Sequence, residues 1–375
     1  MKEKLRQILK SLEEAHLLLA NKKVTAGFDG CIDSVVKVIE YKTEDGKPQY
    51  FELIEQFGNY IANKKGGGFS LETEEMLQKI GGNMPIMANA MGRLGVNVNC
   101  VGAFGIPAIA LAFKVMDSRC TLHSYCNPGF TTAMEFFDGK FMLAEMKDLN
   151  NSDWGTIKKV IGLATLKEVF LTSQLICLLN WSEVFGSGEI WEGLLEEILI
   201  SAHDDQLKKH FFFDLSDCSA RSLSDIHNAV TLIKKFNTIG TVTLSLNTNE
   251  ASIIYKTVLS KPVPKSIDTI GINLFTVLNI NTLIIHSSKM SQLWDTSGTY
   301  SNQPDLISNP RISTGAGDNF NAGFCIGTMI GLQPGSSLIL ANIVSNIYML
   351  DGESPDLNTL KNHVANLLIP DKTKG

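Results

Sequence analysis

Ser313-Thr314-Gly315-Ala316-Gly317-Asp318-Asn319-Phe320-Asn321-Ala322-Gly323 is the most informative stretch of the chain. Gly315 and Gly317 stand two apart, directly before an acid, and Phe320, Phe324 and Ile326 continue as an apolar helical run. The pattern predicts a glycine-rich turn that feeds a helix N-terminus. Free backbone N–H groups and the positive end of the helix dipole meet at such a turn and attract anions. An acid in that place repels an anion, unless it serves as a base. Asp318 would then take a proton from a hydroxyl that attacks a phosphate held by the turn. The competing reading is a tight loop whose aspartate caps the helix. Gly323 and Gly327, one helical turn apart, predict a smooth face for close packing.

Working outward, 375 residues with 44% hydrophobic and 19% charged content predict a real core and one large α/β domain over 1–375. The formal net charge of −6 argues against a nucleic-acid binder. It is compatible with a phosphate ligand, because backbone donors and metal can make a small site locally positive. No apolar stretch reaches the length of a membrane span, and Met1–Lys23 is too charged for a signal peptide. Leu5, Ile8, Leu9, Leu12 and Leu19 instead predict an amphipathic first helix. The seven scattered cysteines contain no CxxC pair, so reduced core thiols in a cytoplasmic protein are expected.

Val24–Phe28 reads as a strand, followed by a β-rich stretch through Ile39. A helix is predicted from Met84 to Leu94 and a strand from Val96 to Gly102, with strand and helix patterns alternating again around 111–117. Residues 130–146 read as a hairpin turning at Asp138-Gly139. Beyond 168 the candidate strands are Val169–Thr172 with Ile176–Leu179, Phe211–Leu215, Val242–Leu246 and Leu283–His286. Strands separated by helices predict a mostly parallel sheet with helices on both faces. Ligands in such sheets bind at the carboxyl ends of the strands. Parts of 41–75 and the 130–146 hairpin lie outside this rhythm and are expected to form a small β lid.

Three further groups carry chemistry. Gly81-Gly82-Asn83 opens a helix and would let a ligand approach the backbone, while Asn83 reads equally as a plain N-cap. Asp29 and Asp33 follow the first strand; carboxylates there suit the vicinal hydroxyls of a sugar, and turn-forming aspartates beside Gly30 are the alternative. Asn247 and Glu250, three apart after a strand, could face one site through metal-bound waters, or simply start a capped helix. His286 ends an apolar strand and reads as a core or strand-end histidine. No P-loop, H-E-x-x-H or G-x-S-x-G motif occurs.

Taken together, these motifs resemble the ribokinase-like (PfkB) carbohydrate kinase family over nearly the whole chain. Residues 313–323 are similar to its C-terminal signature, and Gly81-Gly82 through Ala88, Ala90, Leu94 and Gly95 to its N-terminal one. The resemblance implies a Rossmann-like α/β fold with a β lid. It also implies transfer of the terminal phosphate of ATP, with Mg²⁺, to a hydroxyl of a sugar-type substrate. Asp318 would be the base, with the N–H groups of Gly315, Ala316 and Gly317 holding the developing charge. Asp29, Asp33, Gly81, Gly82 and Asn83 would bind the acceptor. Thr314, Asn247, Glu250 and Asn342 would serve the nucleotide, with Asn247 and Glu250 holding the metal through water. A homodimer through the lid is compatible with this reading.

The departures from the pattern are specific. Ile86 replaces the usual Asn of the first signature, and Ile312 replaces the acid tied to a monovalent-cation site. The glycines usual after Leu283–His286 are absent, with Ser288 and Ser291 instead. Residues 81–89 are also similar to ADP-dependent sugar kinases of the same superfamily, although no His-x-Glu element accompanies them. An ADP-dependent sugar kinase, a nucleoside kinase and a non-catalytic sugar- or nucleotide-binding protein are the alternatives. A sugar-phosphate acceptor would need a basic cluster, for which Lys64, Lys65 and Arg93 are available.

Overall fold

The structure is a computed structural model that describes residues 1–201 and 209–369. The chain enters through an amphipathic helix, Lys2–Ala20, which buries Leu5, Ile8, Leu12, Ala15 and Leu19, as its apolar spacing predicts. The strands are β1 (Lys23–Gly27), β2 (Cys31–Lys42), β3 (Pro48–Tyr50), β4 (Thr73–Gly81), β5 (Asn97–Gly102), β6 (Cys120–Ser124) and β7 (Gly129–Phe136). There follow β8 (Gly139–Glu145), β9 (Leu175–Leu178), β10 (Lys209–Asp214), β11 (Gly240–Asn247), β12 (Thr282–His286), β13 (Ser291–Asp295) and β14 (Gly298–Asn302).

Nine strands form the main sheet in the order β14-β13-β12-β11-β10-β9-β1-β5-β6. It is parallel from β6 to β12, and β13 and β14 add an antiparallel edge. Alternation along each strand feeds two separate cores. Phe211 and Phe213 point into one and Phe212 into the other; Leu283 and Ile285 face away from Ile284 in the same way. Helices therefore cover both faces, as the sequence pattern predicts.

The strand order reverses at β1. The chain runs outward from β1 through β5 and β6, then returns to β9 on the other side. Such a switch point leaves a crevice at the carboxyl ends of the strands. There β1 passes through Phe28–Gly30 straight into β2 of a second sheet, ordered β3-β2-β7-β8 with β4 also paired to β2. Its own small core holds Val38, Phe51, Phe57 and Phe136. This sheet contains the segments expected to form a lid, but it starts earlier, at Cys31, and β4 runs on to Gly81.

Four local readings change. Residues 169–172 belong to the helix Leu163–Thr172, because Leu166, Val169 and Phe170 bury one helical face. Around 111–117 there is a single 3₁₀ segment, Leu111–Val115. The hairpin loop is Phe137-Asp138, since Phe136 pairs with Gly139 and Asp138 accepts a bond from the Ile54 N–H. The β13–β14 hairpin is an addition, because Ser-Gln-Leu-Trp-Asp and Gly-Thr-Tyr-Ser-Asn show no apolar alternation. No described helix is long and apolar enough to cross a membrane.

Candidate active site

The turn at 313–318 begins the helix Ala316–Met329, with Gly315 as its N-cap at φ +94°. That backbone conformation suits glycine and is costly for residues with a Cβ. The following helix, Pro334–Asp351, pins the turn from behind. The Tyr348 hydroxyl donates to the Thr314 carbonyl (2.7 Å) and the Ser345 hydroxyl to the Ala316 carbonyl (2.9 Å). The two helices approach closely because Gly323 and Gly327 lie against the Cα atoms of Ala341 and Ser337; a Cβ at either glycine would sit 2.9 Å from them. This is the smooth face expected of the pair.

The turn differs in one donor from the anion hole expected of it. The Ala316 N–H is committed to the Ser313 carbonyl at 3.1 Å, closing a tight turn. The N–H groups of Gly315 and Gly317 make no bond among the described residues and remain for a ligand. Ile86 packs on this turn, 3.2 Å from where a Gly315 Cβ would lie. The position of the family's usual Asn is thus part of the turn's apolar support.

Asp318 is buried, 8% exposed, among other acids. Burial raises its pKa well above the carboxylate range; Asp214, Asp29 and Glu250 add to the rise, and a hydrogen bond from Asn83 opposes it. Asn83 is therefore the first residue of the helix Asn83–Arg93 and a partner of Asp318, while Gly82 stands at the N-cap.

Gly81 and Gly82 are needed because carboxylates approach them. A Cβ on Gly82 would lie 2.5 Å from Asp29 Oδ2, and one on Gly81 would lie 2.4 Å from Asp33 Oδ1. The approach expected of a ligand is made by the protein's own acids. Asp29 is fully buried and its carboxylate is engaged: Oδ1 accepts from the Met84 N–H (2.9 Å) and Oδ2 from Asn180 Nδ2 (2.8 Å). Burial pushes its pKa up to about 7. Asp29 thus braces the helix that carries Asn83, with both carboxylate oxygens engaged by protein donors.

Asp33, the third residue of β2, is where the two sheets meet. It lies between Thr131, across the β2–β7 pair, and Lys79, across the β2–β4 pair, with Lys140 nearby. Burial raises its pKa and these groups oppose the rise. Arg93 ends the helix that begins at Asn83, about 15 Å away at helical rise, and pairs with Glu353.

Asn247 and Glu250 form a reciprocal capping box at the start of the helix Thr248–Leu259. Asn247 Oδ1 accepts from the Glu250 N–H (2.9 Å), while Glu250 accepts from the Asn247 N–H (2.8 Å) and Nδ2 (2.6 Å). Burial, then Asp214, pushes Glu250 up to about 8. Asn342 is buried and donates to Ser291 Oγ (2.7 Å) and the Leu338 carbonyl (2.8 Å). Thr314 is exposed on the turn. A pocket of about 260 Å³ joins these elements, lined by Asn247, Thr248, His286, Ala316, Gly317 and Asn342 among others.

Several residues escaped the sequence reading. Asp214 ends β10 and is buried, accepting from the Ser216 N–H (2.9 Å) and from Asn321 Nδ2 (2.6 Å). Asn321 in turn accepts from Ser245 Oγ on β11 (2.7 Å), which ties the 316–329 helix to two strands. Asn180 follows β9 in the left-handed region at φ 53° and bridges Asp29 and Glu183. Arg221 holds the loop after it, donating to the carbonyls of Trp181 (2.8 Å), Ser182 (3.0 Å) and Val184 (2.7 Å). A polar residue ending an apolar strand was the available signal. It marks Asp29 and Asn247, and it holds equally for Asp214 and Asn180.

The candidate side chains thus lie at the ends of β1, β9, β10, β11 and β12, five neighbouring strands of the sheet. Fold and site together define a carbohydrate kinase of ribokinase-like architecture. The family model of prokaryotic ketohexokinase matches residues 2–367, and the chain belongs to that family. It is a sugar kinase. A ketohexokinase of Haloferax volcanii is 26% identical over 345 residues, covering 90% of each chain. Solved structures share the fold. A ribokinase of Arabidopsis thaliana, complexed with ribose and ATP, superposes with a TM-score of 0.61 at 13% identity over 92% of this chain and 99% of that one. An adenosine kinase of Sinorhizobium meliloti does so with 0.64 at 14% identity, over 92% and 99%.

Proposed function

We propose that the protein transfers the terminal phosphoryl group of ATP to a hydroxyl of a ketohexose, with Asp318 as general base. The observation that carries this reading is a buried acid next to two free N–H groups at a helix N-terminus. Burial and neighbouring acids raise the affinity of Asp318 for a proton, which is what a base at near-neutral pH requires. Asp318 takes the proton of the acceptor hydroxyl as its oxygen bonds to phosphorus and the bond to the nucleotide breaks. The Gly315 and Gly317 N–H groups stabilise the charge that develops on the phosphoryl oxygens. Asp33, with Lys79 and Thr131 beside it, orients the acceptor. The smaller sheet closes over it, keeping out water that would otherwise take the phosphoryl group.

The residues present fit a hydrated Mg²⁺. Asp214 and Glu250 supply hard oxygen donors near the turn. When bound, Mg²⁺ neutralises phosphate charge; Glu250 and Asn247 would hold it through water. A second copy of the chain would cover the face of the smaller sheet away from Asp33, where Phe130 and Leu143 are 40% and 52% exposed.

The deciding experiment is a panel of ketohexoses, aldohexoses, their phosphates and nucleosides, each with ATP and with ADP, read as nucleotide turnover. Turnover confined to ATP with a ketohexose is expected. Turnover with ADP alone, or with nucleosides alone, would replace this reading.

A further inference from the structure

The start of the 316–329 helix divides the cleft. Asp318 faces Asn83, Asp29 and Asp214, while Ala316, Gly317 and Phe320 line the pocket on the other side. His286 belongs to the pocket side. Its ring is stacked on Phe320, with centroids 4.6 Å apart and planes at 26°. Its Cε1 lies 3.6 Å from where a Gly317 Cβ would be. Both ring nitrogens are bonded to Cε1, so both lie beside the turn.

The ring is held but not satisfied. His286 stands directly opposite Ser291 across the β12–β13 pair, and Asn342 donates to Ser291 Oγ at 2.7 Å. A tight turn follows, in which Ser287 Oγ accepts from the Met290 N–H at 3.2 Å. Neither ring nitrogen of His286 has a hydrogen-bond partner among the described residues, while the ring is only partly buried and lines the pocket. A polar group fixed by stacking and left unpaired at a ligand pocket is a recognition element in waiting. Desolvation lowers its pKa to about 4, so it meets a ligand as a neutral imidazole with one N–H. His286 is the strand-end histidine that the sequence predicts, the last residue of β12, but its ring nitrogens are left unpaired rather than satisfied.

We infer that His286 is a donor-nucleotide residue, whose ring N–H bonds a phosphate oxygen upstream of the group transferred. The inference rests on the proposed kinase reading, because it needs a nucleotide seated between the pocket and the glycine turn. A phosphate chain running from that pocket to Gly317 must pass the imidazole. A hydrogen bond to a charged oxygen is stronger than a neutral one.

The test is isothermal titration of MgATP, MgADP and adenosine into the wild type, His286→Phe and His286→Gln. Phenylalanine keeps the stack on Phe320 and removes both nitrogens; glutamine returns a donor without the ring. His286→Phe is expected to weaken MgATP and MgADP at least tenfold, about 1.4 kcal/mol, and to leave adenosine unchanged. His286→Gln is expected to recover part of the loss. Unchanged MgATP affinity in His286→Phe would overturn the inference, as would an equal loss for adenosine. Failure of the wild type to bind MgATP at all would overturn the donor reading itself, and this inference with it.

Discussion

Gly81→Ala isolates the acceptor side of the site. Gly81 ends β4 opposite Cys31, and its φ lies outside the left-handed region, so alanine meets no backbone cost there. The added methyl would fall 2.4 Å from Asp33 Oδ1, 2.6 Å from Cγ and 2.9 Å from Oδ2. Ordinary contact begins near 3.4 Å, so the carboxylate must retreat by about 1 Å. A displacement of that size in a substrate-positioning group costs about 100-fold in rate, or about 2.7 kcal/mol. Steady-state kinetics with the ketohexose varied at saturating ATP should show this loss in kcat/KM, while MgATP affinity holds. In Asp33→Ala the methyl has room, so the double variant should be no worse than Asp33→Ala alone. Activity of Gly81→Ala within threefold of the wild type would refute the reasoning. So would simple addition of the two losses, because Asp33 would then not be what the methyl displaces.

Asp318→Asn should lower kcat by about 10²- to 10⁴-fold, the range for a lost general base, while chemical denaturation at pH 8 shows no loss of stability. An amide of the same size removes a charge that burial, Asp214, Asp29 and Glu250 all oppose; a turnover near normal would end the assignment. Asp29→Asn should flatten the pH dependence of unfolding. A folded-state pKa raised from 3.8 to about 7 means the native state holds the extra proton, so stability is full below pH 4 and declines as pH rises toward 7. The rise corresponds to roughly 4 kcal/mol, and the variant's advantage over the wild type in urea melts should grow between pH 4.5 and 7.5. A wild-type slope in the variant would show that another group carries it.

The parts legible in the chain were those with a local cause. Gly315, Gly317 and Asp318 declare a turn and a helix start because their geometry depends on neighbours in sequence. The βα rhythm declares a mostly parallel sheet because apolar runs between helices leave few other folds. The capping box of Asn247 and Glu250 was also local, and the structure contains the helix start that the spacing allowed. The 169–172 segment was misread because a short apolar run has no period of its own; only the Leu166–Phe170 face, packed in the core, decides it.

The division of labour among the acids was not local. Asp29 and Asp33 are four apart and looked equivalent, yet one is consumed by Met84 and Asn180 while the other lies against Lys79. Asn180 declared nothing and His286 only a strand end, because Asp29 and Phe320, which they touch, lie on distant elements. Composition and spacing settle which backbone shapes form, since those are set within a few residues. Tertiary packing settles which carboxylates lose water and which donors stay unpaired, since burial and pairing depend on residues 100 or more positions away. The turn at 313–323 stands at that boundary: its shape is written in eleven consecutive residues, and its chemistry is set by Asp29, Asn83, Asp214 and Glu250 gathered around Asp318.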